Sequence, residues 1–349
     1  MLSNLLYILI AILMLGVIII IHELGHFWVG RACGIGVVEF SVGMGPKLFG
    51  WRRKDIDYSI RALPIGGYCK FVGEDEDNPA PNAMNSAPVW KRFLTVLAGP
   101  MMNFVLAYIA VVIVFVSIPM VVDITPTIEQ LSESMPAQSA GLRVGDTILA
   151  ANGAPISNDV NGVTQLRELI QTGASIELTV EREGETLSLP LSPAKVQAED
   201  GSDTYQIGVV FGTVSATETL PQALVEGARQ MRSYSTMMLD ILRKLIFKFE
   251  GAENMAGAIG MVSVVSEQLR SDLRLVLDYT FLISLNLGIM NLIPFPGLDG
   301  SRLLFLLIEA VRRKPVPIEK EGLVHAIGLV ILLGLAAVLA VHDVMTYIL

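Results

Sequence analysis

The first 21 residues, MLSNLLYILIAILMLGVIIII, carry no charged side chain, and they run without a break into the pentad His22-Glu23-Leu24-Gly25-His26. A stretch this long and this apolar crosses a bilayer as a helix. A helix sets positions i and i+4 on one face, so His22 and His26 can grip one metal ion while Glu23 stands beside it. Ionisable groups at membrane depth are expensive and usually mark function. The chain is therefore expected to hold a metal inside the membrane, in the arrangement used by metal-dependent hydrolases.

Three further stretches are long and apolar enough to span: one within Phe93 to Val122, one from about Tyr279 to Leu298, and one from about Gly322 to Val341. The chain has 349 residues, of which 17% are charged. A soluble protein carries about 25%, so a polytopic membrane protein with one modest soluble domain is expected. Lysines and arginines cluster between the first two spans (Arg31, Lys47, Arg52, Arg53, Lys54, Arg61, Lys70, Lys91, Arg92) and beyond the third (Arg302, Arg312, Arg313, Lys314, Lys320). The positive-inside rule puts both regions in the cytoplasm. Residues 118–272 hold 20 acidic and 10 basic side chains and are expected outside, with both termini. The net charge of −9 is spread this unevenly and gives no reason to expect nucleic acid as a partner. Cys33 and Cys69 are too few for a disulfide framework and read as free thiols.

Gly34 to Glu74 reads as short strands, Val37 to Val42, Ile56 to Ile60 and Tyr68 to Val72, separated by glycines and prolines. Such backbone enters a membrane only when protein shields it or when it lines a cavity. Residues 75–90 are acidic and proline-rich and read as a flexible connector. Residues 124 to about 213 read as a small β-rich domain with a turn at Asn152-Gly153, a helix from Asp159 to Gln171, and a hairpin of Ser175 to Glu181 with Thr186 to Leu191. Residues 221–272 are amphipathic, with basic residues near the apolar stretch Met237 to Phe249. They are expected either to pack on the soluble domain or to lie on the outer membrane surface.

A catalytic zinc takes three protein ligands and keeps one position open for water. Asp299 is the expected third ligand. It follows a helix break at Pro294, Pro296 and Gly297 in NLIPFPGLDG, at the same inner depth as the pentad. His325 is a rival. Glu23 would take a proton from the attacking water and pass it to the leaving amine. Asn103 in LAGPMMNF reads either as an interhelical hydrogen bonder or as a donor to an unwound substrate backbone, and Asn286 and Asn291 read the same way.

HELGH, FSVGMGPKLF, IRALPIGGYCKFVGE, LAGPMMNF and NLIPFPGLDG occur here in the order in which they occur in the bacterial site-2 proteases. The chain resembles that family of intramembrane zinc metalloproteases, of the regulator-of-sigma-E type, over nearly its whole length. The resemblance implies Zn2+ held by His22, His26 and Asp299, with Glu23 as acid/base. It implies a membrane-reentrant β-loop, Tyr58 to Glu74, that takes the substrate as an added strand. Gly66, Gly67 and Tyr68 on that loop, with Asn103, Asn291 and Pro294, would then contact substrate. It also implies a PDZ-like extracytoplasmic domain that offers a site for a peptide C-terminus around Ala140 to Asp146. Substrates would be single-span membrane proteins already trimmed outside, such as anti-sigma factors and remnant signal peptides, in the bacterial inner membrane.

The implied fold is an α-helical polytopic membrane protein with four transmembrane helices, the reentrant β-loop and one α+β domain. Its organisation would be a first helix with the pentad (1–34), a cytoplasmic-side loop with the β-loop (35–92), a second helix (93–122), the PDZ-like domain (123–214), amphipathic extracytoplasmic helices (215–274), a third helix with the LDG motif (275–309), and a cytoplasmic loop with the fourth helix (310–349). Ser301 and Ala258 depart from the family's usual Gly and Pro, and there is room for one PDZ-like domain where some members carry two. A non-enzymatic membrane adaptor with a structural metal is the alternative. It would have no use for Glu23 and would usually close its metal with four ligands.

Overall fold

The computed structural model describes residues 2–74, 76, 78–197, 203–248, 250, 257–272 and 274–347. Asp75 and Asp77 of the expected connector, and Phe249 of the amphipathic stretch, lie outside these. The chain divides into two compact units, Ser117–Glu218 and the rest.

The larger unit begins with α1 (Leu2–Ala32), then β1 (Val37–Arg53), β2 (Ile56–Phe71) and α2 (Val89–Ser117). Helix α1 ends where Gly34 turns left-handed, at φ +81°. Gly34 N–H donates to Arg31 C=O, and Ile35 N–H reaches back to Gly30 C=O. This paired closure satisfies the last carbonyls and needs a residue without a side chain at the turn.

Ribbons β1 and β2 meet at Lys54-Asp55, both at positive φ, a two-residue turn whose twist suits a hairpin. Both ribbons bend back on themselves. Val37 to Val42 pairs with Gly67 to Phe71 on one side and runs in step with Asp57 to Ile60 on the other, while Phe49 to Arg53 pairs with Ile56 to Ile60. The three expected strands are present, joined by a fourth that the composition did not separate. Gly67 to Phe71 forms one edge of this sheet.

The segment after the sheet differs from the expected flexible connector. Gly36 N–H donates to Asn82 C=O and Met84 N–H to Val72 C=O, and Ala83 and Met84 are buried. Backbone pairing and one buried methionine hold it against the sheet.

The smaller unit contains β3 (Met120–Leu131), α3 (Pro136–Ser139), β4 (Thr147–Ala151), β5 (Ala154–Pro155), α4 (Val160–Gln171), β6 (Ile176–Arg182), β7 (Glu185–Leu191), β8 (Ala194–Gln197), β9 (Asp203–Gln206) and β10 (Val209–Ala216). Its main sheet runs β10-β3-β4-β6-β7, with β5 on β4. Asp159 caps α4 by accepting from the Asn161 and Gly162 amides. Val163, Leu166 and Ile170 face inward from α4 onto Ile148, Leu178 and Val180 of the strands. Met120 pairs with Ala216, so the unit is longer at both ends than the expected 123–214.

The larger unit resumes with α5 (Leu220–Lys248), α6 (Ala258–Ser271), α7 (Leu275–Leu292), α8 (Asp299–Arg312) and α9 (Ile318–Tyr347). Among the described residues, four helices are long and apolar enough to cross a membrane: Leu5–Ala32, Val89–Ser117, Leu275–Leu292 and Glu319–Thr346. The third stops at Leu292 rather than Leu298, because Pro294 cannot continue it.

Helices α5 and α6 pack against the membrane-length helices, a contact that neither reading of residues 221–272 named. Met231, Tyr234, Met238 and Leu242 of α5 pack on Ala107, Val111 and Phe281 of α2 and α7. Val265 and Leu269 of α6 pack on Met14 and Ile18 of α1. One face of α5 meets these helices, while Met237, Leu239, Ile241 and Phe247 of the same helix are exposed.

Candidate metal centre

His22 and His26 lie one turn apart on α1, both about nine-tenths buried. Asp299 is the first residue of α8, brought round by the break at Pro294 to Gly297, where Gly297 takes φ +95°. Its Oδ2 lies 3.1 Å from His22 Nε2 and 3.4 Å from His26 Nε2. The two Nε2 atoms are 3.2 Å apart. Tetrahedral zinc with bonds near 2.0–2.1 Å needs its ligand atoms about 3.3 Å apart. Asp299 Oδ2 is also buried without a hydrogen-bond donor. A bare carboxylate oxygen facing two imidazole nitrogens is costly unless a cation fills the corner, so the donor set fits zinc. Among the described residues this is the one such His/Cys/Asp/Glu cluster, and it has three donors, which leaves a zinc one position for water.

The pentad keeps its geometry because α2 packs unusually close behind it. A Cβ on Gly25 would strike the Ala98 carbonyl, and one on Gly99 would overlap the His26 ring. His26 Nδ1–H donates to the Thr95 carbonyl at 2.9 Å, which leaves Nε2 free to ligate. Pro100, inside α2, removes the amide that the Val96 carbonyl would accept and loosens this turn. Thr95 and Gly99 were missed from sequence. The signal available for them was a small residue followed by proline in the middle of a membrane span.

Glu23 sits between the metal ligands and the sheet. The Cys69 amide faces its carboxylate. A Cβ on Gly67 would come within 3.5 Å of Glu23 Cγ. His22, Glu23, His26 and Asp299 open into a cavity of about 380 Å³ whose wall also includes Tyr68, Cys69, Phe71, Glu74, Arg302 and His325. Glu74 accepts a hydrogen bond from Arg302, which ties the sheet to α8 beside the metal corner.

The expected substrate residues do not all meet here. Tyr68 lines the cavity. Gly67 backs Glu23, and Gly66 turns at φ +94° against Met44. Asn291 ends α7 half-buried, Pro294 is exposed just beyond, and neither lines the cavity. Asn103 is completely buried, with its amide 3.2 Å from His22 Nδ1, which is the interhelical hydrogen bond of its two expected readings. His325, the rival ligand, turns its Nδ1 to the Gly297 amide at 3.2 Å and is not in the donor cluster.

The smaller unit has its own buried charge. Burial alone would push the Asp146 carboxyl up, but two Arg182 hydrogen bonds of 2.7 Å and the Arg143 amide outweigh it and hold it below the usual carboxylate range.

The model of peptidase family M50 matches residues 10–335. A protein of Nostoc sp. named "Putative zinc metalloprotease all3971" is 35% identical over 95% of this chain and 94% of its own length. The regulator of sigma-W protease RasP of Bacillus subtilis is 27% identical over 95% of this chain and 97% of its own. A PDZ domain of an SdrC-like protein from Listeria monocytogenes overlaps 25% of the chain and 85% of its own length, at 14% identity and a TM-score of 0.21, too slight an overlap to define a fold.

Proposed function

The chain belongs to peptidase family M50 and is a zinc-dependent metalloprotease with several membrane-length helices; from this we propose that it cleaves peptide bonds within the membrane-spanning segments of single-span proteins. The observation that carries the reading is the convergence of Asp299 Oδ2 on two imidazole nitrogens within 3.4 Å, with His22 and His26 on a helix that is itself long enough to cross the bilayer. A soluble protease has no reason to set its metal in such a helix.

When bound at His22, His26 and Asp299, zinc supplies a Lewis acid that acidifies water and polarises the scissile carbonyl. Glu23 takes the proton from the attacking water and hands it to the departing amide nitrogen, so one carboxylate serves as base and then as acid. The outer edge of the sheet, Gly67 to Phe71, lies beside Glu23, with its Cys69 amide facing the Glu23 carboxylate and its Phe71 amide donating to Glu74; an unwound substrate added there as a strand would take over these amides for the groups that its helix gives up. Anti-sigma factors and remnant signal peptides trimmed on the outer side are the substrate class we assign. The Ser117–Glu218 unit would turn away intact ectodomains, and both termini would lie outside the inner membrane, with the active site toward the cytoplasm.

Coexpression of wild-type and Glu23→Gln protein with a panel of tagged single-span proteins tests this. Fragments should appear with wild type alone, while Glu23→Gln keeps its zinc. Cleavage by Glu23→Gln at the wild-type rate would overturn the mechanism.

A further inference from the structure

Asn103 stands on α2 directly behind His22, with no exposed surface. Its own backbone carbonyl accepts the hydroxyl of Ser284 on α7 at 2.9 Å, and Ser284 is also fully buried. A polar line thus runs through three membrane helices: Ser284, Asn103, His22. Asn103 Nδ2 lies 3.2 Å from His22 Nδ1, and Asn103 Oδ1 is buried with no partner.

This arrangement matches one tautomer of His22. If Nε2 carries the proton, it can face Asp299 Oδ2 at 3.1 Å, and Nδ1 accepts from the Asn103 amide. An imidazole that gives its Nε2 lone pair to zinc must instead carry its proton on Nδ1. Nδ1–H and Nδ2–H would then oppose each other as two donors. A half-turn of the amide about χ2 exchanges Nδ2 for Oδ1 and gives Nδ1–H its acceptor.

We infer that Asn103 is the positioning residue of the metal site: its Oδ1 accepts the His22 Nδ1–H and holds the imidazole in the tautomer and orientation that ligate zinc. His26 is held in the same way by the Thr95 carbonyl. Each metal-binding histidine of α1 thereby takes its outer acceptor from α2, one from backbone and one from a side chain. The inference rests on the zinc site proposed above. Outer partners of this kind contribute 10- to 100-fold in metal affinity.

The test uses the full chain in detergent, with zinc itself as the probe. Asn103→Leu keeps the size and removes the acceptor; Asn103→Asp keeps an acceptor oxygen. Zinc affinity is read by chelator competition, the ligand field by the visible spectrum of the cobalt-loaded protein, and folding by elution volume and helical circular dichroism. Asn103→Leu should remain folded, bind zinc about 10- to 100-fold more weakly and alter the cobalt spectrum, while Asn103→Asp restores both. Wild-type zinc affinity in Asn103→Leu, or an Asn103→Asp as weak as Asn103→Leu, overturns the inference. If Asn103→Leu fails to fold, Asn103→Asp decides alone: wild-type affinity and spectrum support the role, and a tenfold loss refutes it. Asp299→Ala is the control. Undiminished zinc binding there would mean that the metal site itself, rather than the part given to Asn103, is misassigned.

Discussion

Both units bury apolar side chains, but among the described residues the larger also buries a set of polar ones, where the smaller buries Asp146 alone. In Ser117–Glu218 the interior is aliphatic: Ile148, Leu166, Leu178 and Val180 are each at most 2% exposed. In the larger unit the buried set includes His22, His26, Asn103, Ser284 and Asp343, while Leu13, Val330 and Leu333 are each at least 60% exposed. Water drives apolar side chains inward in the first case. Lipid is as apolar as leucine, so in the second case helices are held by close contact at small residues and by polar bonds between them. The same contrast explains why a metal site can stand in the larger unit. Polar side chains already stand among its apolar core residues and find partners there.

The two units should differ most at glycine. Gly99→Ala puts a methyl group into the His26 ring. Zinc affinity should drop at least about 100-fold, since a ligand as well as its outer partner is displaced, with proteolysis lost in step. Gly184 in the smaller unit has open space around it and is glycine for its backbone, at φ +85°. Gly184→Ala should cost about 1 kcal/mol of local strain and leave zinc content and cleavage unchanged. Equal effects in the two variants, measured by metal analysis and substrate cleavage, would mean that close helix approach does not define the metal site.

A smaller effect separates the two kinds of apolar residue. Leu166→Ala should destabilise the smaller unit by about 2–5 kcal/mol, read as faster amide hydrogen exchange over residues 117–218. Leu333→Ala on α9, at 60% exposure, should change unfolding by less than about 0.5 kcal/mol. A large loss there would show that α9 is held by contacts other than lipid.

The smallest effect concerns the buried ion pair. Asp146 has a folded pKa below its unfolded value near 3.9. Its contribution is therefore fully present above about pH 4 and fades as the pH falls through the folded value. Asp146→Asn should cost about 2 kcal/mol at neutral pH and flatten the acid dependence of exchange in residues 117–218. An acid profile identical to wild type would remove Asp146 from that role.

Local rules account for what could be read directly from the chain. The i, i+4 spacing of His22 and His26 lies within one helix. The break at Pro294 to Gly297 follows from a missing amide and a fixed φ, and Asn152-Gly153 and Asp159 mark a turn and a helix start through their own backbone preferences. Asp299 stood out in the sequence as a candidate ligand because an acid at membrane depth after a helix break has few other uses.

Features with local causes were therefore readable from residue order: the apolar spans, the break at Pro294 to Gly297, the start of α4 and the pentad. It took the folded chain to reveal that Asn103 packs behind His22, that Thr95 and Gly99 shape the His26 pocket, that α5 docks on α2 and α7, and that Val37 to Val42 lies between two segments of the other ribbon. These contacts join residues far apart in the chain. Around His22 and His26 they run through small and polar residues, and on α5 through apolar ones that suit lipid equally well, so neither kind announces in the sequence which neighbour it will meet.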